Sequence, residues 1–251
     1  MSRVEKLDQL IADQLQAALP SVVIGRQIVV LEQTASTNDA IFQVAFPQGA
    51  AVSSLPAVAS AKEGPPSFAD EGLVLFAEHQ TAGRGQRGNR WESAAGKGLW
   101  FSILLRPEIQ LSDSGRLTIW AIEAISDVIR VEFGLEPAIK LPNDVQLNGH
   151  KVAGVLVEMR AQDKAPHLAV VGIGVNVNQC HNDFPDGLQD RATSLAMALG
   201  RQVERQNFAV ALLRNLDLTY REKFSKAVPG FNSSPATTTT RDKRAAKFPT
   251  A

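Results

Sequence analysis

Between residues 72 and 177 the chain passes four times through a short apolar run of strand character: GLVLFAEH at 72–79, GLWFSILL at 98–105, KVAGVLVEM at 151–159 and LAVVGIGVNV at 168–177. Two further stretches fit strands, 22–32 (VVIGRQIVVLE) and 137–141. One long helical period interrupts them, at 112–133, bounded by Ser112 and Asp113 at its start and Gly134 at its end. Runs of strands broken by only a few helices predict an α+β fold, because a doubly wound sheet needs strict strand-helix alternation. Gly172 and Gly174 fall inside a strand pattern, so no strand-turn-helix unit carries a dinucleotide fingerprint.

Helical spacing elsewhere lies at the flanks. Leu7, Leu10, Ile11, Leu15 and Ala18 define one amphipathic helix over 4–19 that Pro20 stops. Ser36, with Asp39 three places on, reads as an N-cap ahead of Ala40-Ile41-Phe42. Further helices are expected at about 190–199 and over 207–225. Residues 46–70 are rich in Pro, Ala, Ser and Gly without periodicity and read as a surface insertion, and the tail after Pro229 is too poor in apolar residues to order itself. The expected organisation is an N-terminal helix and lead-in (1–27), one large domain (28–225) and a disordered tail (226–251).

Composition removes several function classes. With 26 Lys+Arg against 26 Asp+Glu the net charge is 26 − 26 = 0, which excludes a polycationic nucleic-acid binder. A helix-turn-helix domain needs three helices where the N-terminus offers one, so no nucleic-acid partner is expected. The single cysteine, Cys180, excludes an internal disulfide framework, and the four histidines show no metal-ligand spacing. Glu5 and Asp8 interrupt any export signal and no apolar run reaches the roughly 18 residues of a membrane helix, which predicts a cytoplasmic protein without a membrane partner.

Three segments carry chemistry. The first, EHQTAGRGQRGNRW at 78–91, interleaves Gly83, Gly85 and Gly88 with Arg84, Arg87 and Arg90 and has no acid between Glu78 and Glu92. Glycines expose backbone N–H groups and guanidinium forks grip carboxylate or phosphate oxygens, so this loop is built for an anion, with Trp91 as an apolar lid. The bland reading is a flexible basic hairpin loop. In the second, KLPNDVQLNGHKVAGVLVE at 140–158, turn signals at Pro142-Asn143-Asp144 and Asn148-Gly149 place Lys140 and Lys151 at either side of a hairpin. Strict alternation puts Lys151 on one face with Ala153 and Val155, and Gly154 on the other. Lys151 is either a solvated strand end or the cation that meets charge developing between a carboxylate and a phosphate. The third, VVGIGVNVN at 170–178, ends on Asn176 and Asn178, which serve turn chemistry or read the edge of a base.

In this order and spacing the motifs resemble those of the biotin protein ligases: Ser36-Thr37-Asn38, then Gln80-Thr81-Ala82-Gly83-Arg84-Gly85 with Gly88 and Trp91, then Lys140-Leu141-Pro142-Asn143-Asp144, Lys151 through Glu158, and Gly172 through Asn178. The resemblance covers about residues 28–225. It implies a class II synthetase-like catalytic domain with a mixed, mainly antiparallel sheet and flanking helices. The implied enzyme uses ATP and Mg²⁺ to make biotinyl-5′-AMP from biotin. It then transfers biotin to a lysine of a biotin carboxyl carrier protein, the carrier subunit of a carboxylase such as acetyl-CoA carboxylase. Lys151 and Arg84 are the implied catalytic cations. Biotin would be held by Ser36, Thr37, Asn38, Gln80, Arg84, Gly85, Gln86 and Lys151. The adenylate would be held by Arg84, Arg87, Trp91, Asn143, Asp144, Lys151 and Asn176, with Mg²⁺ bound through the ATP phosphates and no protein ligand assigned.

Departures from the family pattern keep other readings open. Gln86 and Asn89 stand where the family loop carries arginines, Leu141 replaces a tryptophan, and the family's small C-terminal β-barrel is expected to be missing. A lipoate or octanoate ligase or transferase of the same fold, and a non-catalytic biotin-binding protein, are the alternatives. The expected form is the short one without a DNA-binding domain, as a monomer or homodimer.

Overall fold

A computed structural model of the chain describes residues 8–20, 23–45, 70–162 and 166–224. The expected insertion at 46–70, except residue 70, the tail and residues 4–7 of the helix expected over 4–19 lie outside the described residues. Seven strands form one sheet: β1 (Gln27–Thr34), β2 (Leu73–Gln80), β3 (Gly98–Leu105), β4 (Ala138–Lys140), β5 (Asp144–Leu147), β6 (His150–Arg160) and β7 (Leu168–Asn176), in the order β1-β2-β3-β7-β6-β5-β4. Only β1 and β2 run parallel; the other pairs are antiparallel, so the mixed, mainly antiparallel α+β sheet is as expected. The helices are α1 (Ala12–Ala18), α2 (Thr37–Ala45), α3 (Ser114–Phe133), α4 (Asp186–Gln189), α5 (Leu195–Leu199) and α6 (Arg205–Phe224).

The helix expected over 4–19 is helical only at Ala12–Ala18: residues 8–11 are not helical, because the backbone of Asp8, Leu10 and Ile11 bonds Arg205, Glu78 and Gln206 instead. Three other differences from the sequence reading also have a local reason. β1 starts at Gln27 because Gly25 turns the chain at φ 90° and the N–H groups of Val23 and Ile24 donate to Asp217 Oδ1 at 2.9 and 2.8 Å. The four residues DVQL between two turns form a full strand, β5, where the reading saw only a hairpin bend. The helix expected from 190 begins at Leu195, where Ser194 Oγ accepts from the N–H of Met197, because Arg191 and Thr193 are tied to the backbone of Lys151.

The sheet has unlike faces. On one, Phe101, Ile103, Ile173 and Val175 are fully covered by α3 and α6 through Trp120, Ile125, Leu212 and Leu216. On the other, a smaller cluster beneath α2 holds Leu31, Leu73, Leu75, Leu104, Leu168 and Val170. Alternation places Gly98, Gly172, Gly174 and Gly154 on this second face, and the pairs Gly98 with Asn176 and Gly154 with Gly174 put them side by side on adjacent strands. Without side chains there, the sheet has no apolar surface to drive a helix onto it, and the backbone stays approachable.

A charged clasp closes the N-terminal side. Arg205, 2% exposed, donates to Asp8 Oδ2 at 3.1 Å, Glu78 Oε2 at 2.7 Å and the Gly98 carbonyl at 3.1 Å, and Glu78 also accepts from the N–H of Leu10. A buried guanidinium is tolerable only when its donors are satisfied in this way.

Candidate active site

The glycine floor is fitted closely by what lies over it. A Cβ added to Gly172 would sit 2.2 Å from Asn38 Oδ1, one on Gly174 2.5 Å from the Trp91 ring, and one on Gly154 2.9 Å from both Trp91 and Lys151 Cε. The start of α2, the Gly-Arg loop and the beginning of β6 therefore all come down on three glycines.

At the α2 end, Gln80 Oε1 accepts from the N–H of Thr37 at 2.9 Å and from Thr37 Oγ1 at 3.2 Å. Ser102 Oγ lies 2.7 Å from Thr37 Oγ1 and 2.6 Å from Asn38 Oδ1. Asn38 Nδ2 is spent on Glu158 Oε2 at 2.7 Å, so its oxygen faces Ser102 as acceptor only. Two hydroxyl hydrogens thus serve three contacts, and the buried network is short of a donor.

The Gly-Arg loop is a small hairpin: Arg84 and Arg90 form an antiparallel bridge and the N–H of Trp91 donates to the Gly83 carbonyl at 2.9 Å. A side chain at Gly83 would meet the Trp91 carbonyl at 2.5 Å. Two of its three arginines, Arg84 and Arg90, are paired with carboxylates, which the sequence reading did not foresee. Arg84 is forked onto Glu158, with Nη1 to Oε1 at 3.0 Å and Nη2 to Oε2 at 2.7 Å, and Nη2 also reaches Asp39 Oδ1 at 2.7 Å. Burial works to lower its pKa, but the hydrogen bonds and charges of Glu158 and Asp39 outweigh this and hold the guanidinium more firmly protonated than usual. Arg90 pairs with Glu92 at 3.0 Å.

Lys151 also departs from strict alternation. β5 and β6 pair Gln146 with Lys151 and Val145 with Ala153, so Val152 is an extra residue in β6. This bulge lets Val152 and Ala153 both enter the core and returns Lys151 to the face of Gly154. Lys151 Nζ lies 2.6 Å from Asp144 Oδ1 and 5.1 Å from the centre of the Trp91 ring.

Two adjoining cavities result, of about 150 and about 480 Å³, and Asn89, Arg90, Trp91, Asp144 and Lys151 line both. Ser36, Thr37, Asn38, Gln80, Arg84, Gly85, Gln86 and Asn143 line the first, and Asn176 the second. Arg87, exposed at φ 58°, lines neither, so the structure does not bring it to the site. Asn143 Nδ2 donates to the Val155 carbonyl at 3.0 Å. Asn176 is likewise committed within the protein, with Nδ2 to the Thr193 carbonyl at 2.9 Å and Oδ1 accepting from Gln179 at 3.1 Å. Asn178 leaves the strand and bonds Asp8 and Val203 instead of joining Asn176. The sequence reading missed Ser102, Asp39 and Glu158; the clue for Glu158 was an acid ending an apolar strand, which is unusual unless a cation meets it.

Residues 56–176, which run from before β2 to the end of β7, match the biotin/lipoate A/B protein ligase family. Over those residues the chain is similar to that family. Among similar proteins, the bifunctional ligase/repressor BirA of Bacillus subtilis is 42% identical over 154 residues, 61% of this chain and 47% of that protein. The biotin–acetyl-CoA-carboxylase ligase of Mycobacterium tuberculosis is 35% identical over 151 residues, 59% of this chain and 53% of that protein. The chain thus spans about half the length of these curated relatives. The ligase fold is shared with a biotin protein ligase from Aquifex aeolicus solved in complex with biotin and ATP, at a TM-score of 0.58 and 27% identity over 78% of this chain and 72% of that one.

Proposed function

We propose that this chain is an ATP-dependent biotin protein ligase that makes biotinyl-5′-AMP and passes the biotinyl group to a lysine of a biotin carboxyl carrier protein. The observation that carries the reading is the pair of adjoining cavities whose common wall holds two cations, Lys151 and the more exposed Arg90, with Lys151 over the glycine floor. A two-substrate condensation of anions needs such an arrangement. The donor-short network of Thr37, Asn38, Gln80 and Ser102 suits a head group that brings N–H donors, as the ureido ring of biotin does. The larger cavity, lined also by Arg90, Lys140 and Arg191 and by the apolar Phe184 and Leu188, suits a nucleotide with its polyphosphate.

In the first step a biotin carboxylate oxygen attacks the α-phosphorus of ATP, the new P–O bond forms and pyrophosphate leaves. Lys151 would leave Asp144 to lie between the two anions and offset the charge that keeps them apart. In the second step the carrier lysine amine attacks the acyl carbon and AMP leaves, so no enzyme nucleophile is required. A Mg²⁺ ion would be carried mainly by the phosphates, with Asp144, which lines both cavities, as the protein carboxylate. Mg²⁺ would supply further neutralisation of the phosphate oxygens.

The test is transfer of labelled biotin to a carrier domain with ATP, with lipoate in a parallel arm, for the wild type and Lys151→Ala. Labelling by the wild type and a fall of about 10²–10³ in the variant are expected, the usual cost of removing one transition-state charge partner. Full activity of Lys151→Ala removes the assignment; preference for lipoate favours the other branch of the family; biotin binding without transfer marks a non-catalytic protein.

A further inference from the structure

One wall of the second cavity carries an amide whose orientation is dictated from both ends. Asn176 closes β7 (Leu168–Asn176), is 4% exposed and lines that cavity. Its Nδ2 donates to the Thr193 carbonyl at 2.9 Å and more loosely to the Lys151 carbonyl at 3.4 Å. Carbonyls only accept, so the nitrogen must face them and Oδ1 must face away. Gln179, three residues on and 2% exposed, donates from Nε2 to that oxygen at 3.1 Å. Its backbone is tied down as well, the Gln179 carbonyl accepting from Ser194 Oγ at 2.7 Å. Gln179 cannot turn its other end to Asn176, because two amide oxygens would then oppose one another. The order Thr193, Asn176, Gln179 therefore leaves Gln179 Oε1 buried with no hydrogen-bond partner among the described residues. An apolar side chain filling the same space would avoid that cost.

Resting on the reading that the second cavity takes the nucleotide, we propose that Gln179 is a positioning residue for base selection. Both N–H bonds of the Asn176 amide point at protein carbonyls and Gln179 takes one lone pair of Oδ1, so what remains for a ligand is the second lone pair, an acceptor. A purine with an amino group at C6 brings a donor to that oxygen. One with a carbonyl at C6 brings a second acceptor and is repelled. A site whose buried polar group is left unpaired by the wrong ligand discriminates far more strongly than one that reads shape alone. Gln179 lines neither cavity and acts through Asn176: its N–H keeps the amide from pivoting about the nitrogen end and carrying the oxygen away from the base. The substrate class so selected is a 6-aminopurine nucleoside triphosphate.

The experiment measures kcat/KM for ATP and for inosine triphosphate, its 6-oxo counterpart, in biotin-dependent exchange of labelled pyrophosphate by the full chain. The proteins compared are the wild type, Gln179→Met, Asn176→Ala and the double variant. A wild-type preference for ATP of about 10²-fold or more is expected. Gln179→Met should lower that preference about fivefold to tenfold, through ATP and not inosine triphosphate, with the KM for biotin within about twofold of wild type. Asn176→Ala should lower it further, and adding Gln179→Met to Asn176→Ala should change it no more, because the group Gln179 acts through is gone. A preference in Gln179→Met within about twofold of wild type overturns the proposal, as does an equal loss for ATP, inosine triphosphate and biotin, which marks general structural damage. Additive effects in the double variant overturn it too. Should Gln179→Met fail to fold, an Asn176→Ala protein with the wild-type preference overturns it. A wild type that uses inosine triphosphate as readily as ATP defeats this proposal and leaves the ligase reading standing; one that exchanges pyrophosphate with neither defeats the functional reading, and this proposal with it.

Discussion

Arg205 and Arg84 are each held by two carboxylates, yet they do opposite work. Arg205 is 2% exposed and its partners, Asp8 and Glu78, come from the N-terminal segment and from β2. Arg84 is 39% exposed at the lip of the glycine-floored cavity, between Asp39 on α2 and Glu158 on β6. Both are cations matched by two anions, but water competes at only one of them. A buried guanidinium bound to two carboxylates locks segments together, and losing it leaves charge stranded; the same grouping at a cavity mouth is cheap to break and therefore adjustable.

The comparison is broken most severely by Arg205→Met. It strands Asp8 and Glu78, and about 3–5 kcal/mol of unfolding free energy is expected to go, read as a fall in the urea midpoint at unchanged slope. Activity per folded molecule should stay near wild type, since Arg205 lines neither cavity. Glu78→Gln keeps the shape and removes one charge from Arg205, and should cost about 1.5–3 kcal/mol by the same assay. Arg84→Met should change stability by no more than about 1 kcal/mol, as expected of a pair open to solvent, while weakening biotin binding. If it destabilises as much as Arg205→Met, the distinction between clasp and adjustable mouth is wrong. The mildest case is Lys97 with Asp183, 2.7 Å apart. Burial pushes the Asp183 carboxyl up, but the bonds from Lys97 and Cys180 and the charge of Lys97 prevail and hold it below its ordinary 3.8. A lowered folded value contributes stability above the unfolded value and loses it as pH falls through the folded one. Asp183→Asn should therefore lower stability slightly at neutral pH, and the difference from wild type should close progressively below pH 3.8, followed by acid titration of the melting temperature.

How far the sequence could be read follows the range of the interactions. β3 and the Gly134 stop of α3 were readable because strand composition and a left-handed cap at φ 64° are local. The site's parts were readable as motifs because glycines, a loop tryptophan and a lysine at a strand start are local signals. What escaped is long-range: Arg205 lies 197 residues from Asp8, Arg84 lies 74 from Glu158, and neither distance leaves a trace in spacing. A solvated arginine and a paired one read alike, so the loop's positive charge was overestimated until Asp39 and Glu158 were seen beside it.

The extra residue at Val152 makes the side on which Lys151 emerges a matter of parity. Counting back from Gly154, whose face is fixed by its pairing with Gly174, an unbroken strand would send the amine of Lys151 among α3 and α6. Regular pairing with Val152 kept in the ladder would remove no catalytic atom and change no motif letter, yet it would turn the ammonium toward a hydrocarbon interior. The bulge in this stretch of β6 is thus as much a part of the chemistry as the lysine itself: it is what separates a reactive wall from a buried, unpaired charge.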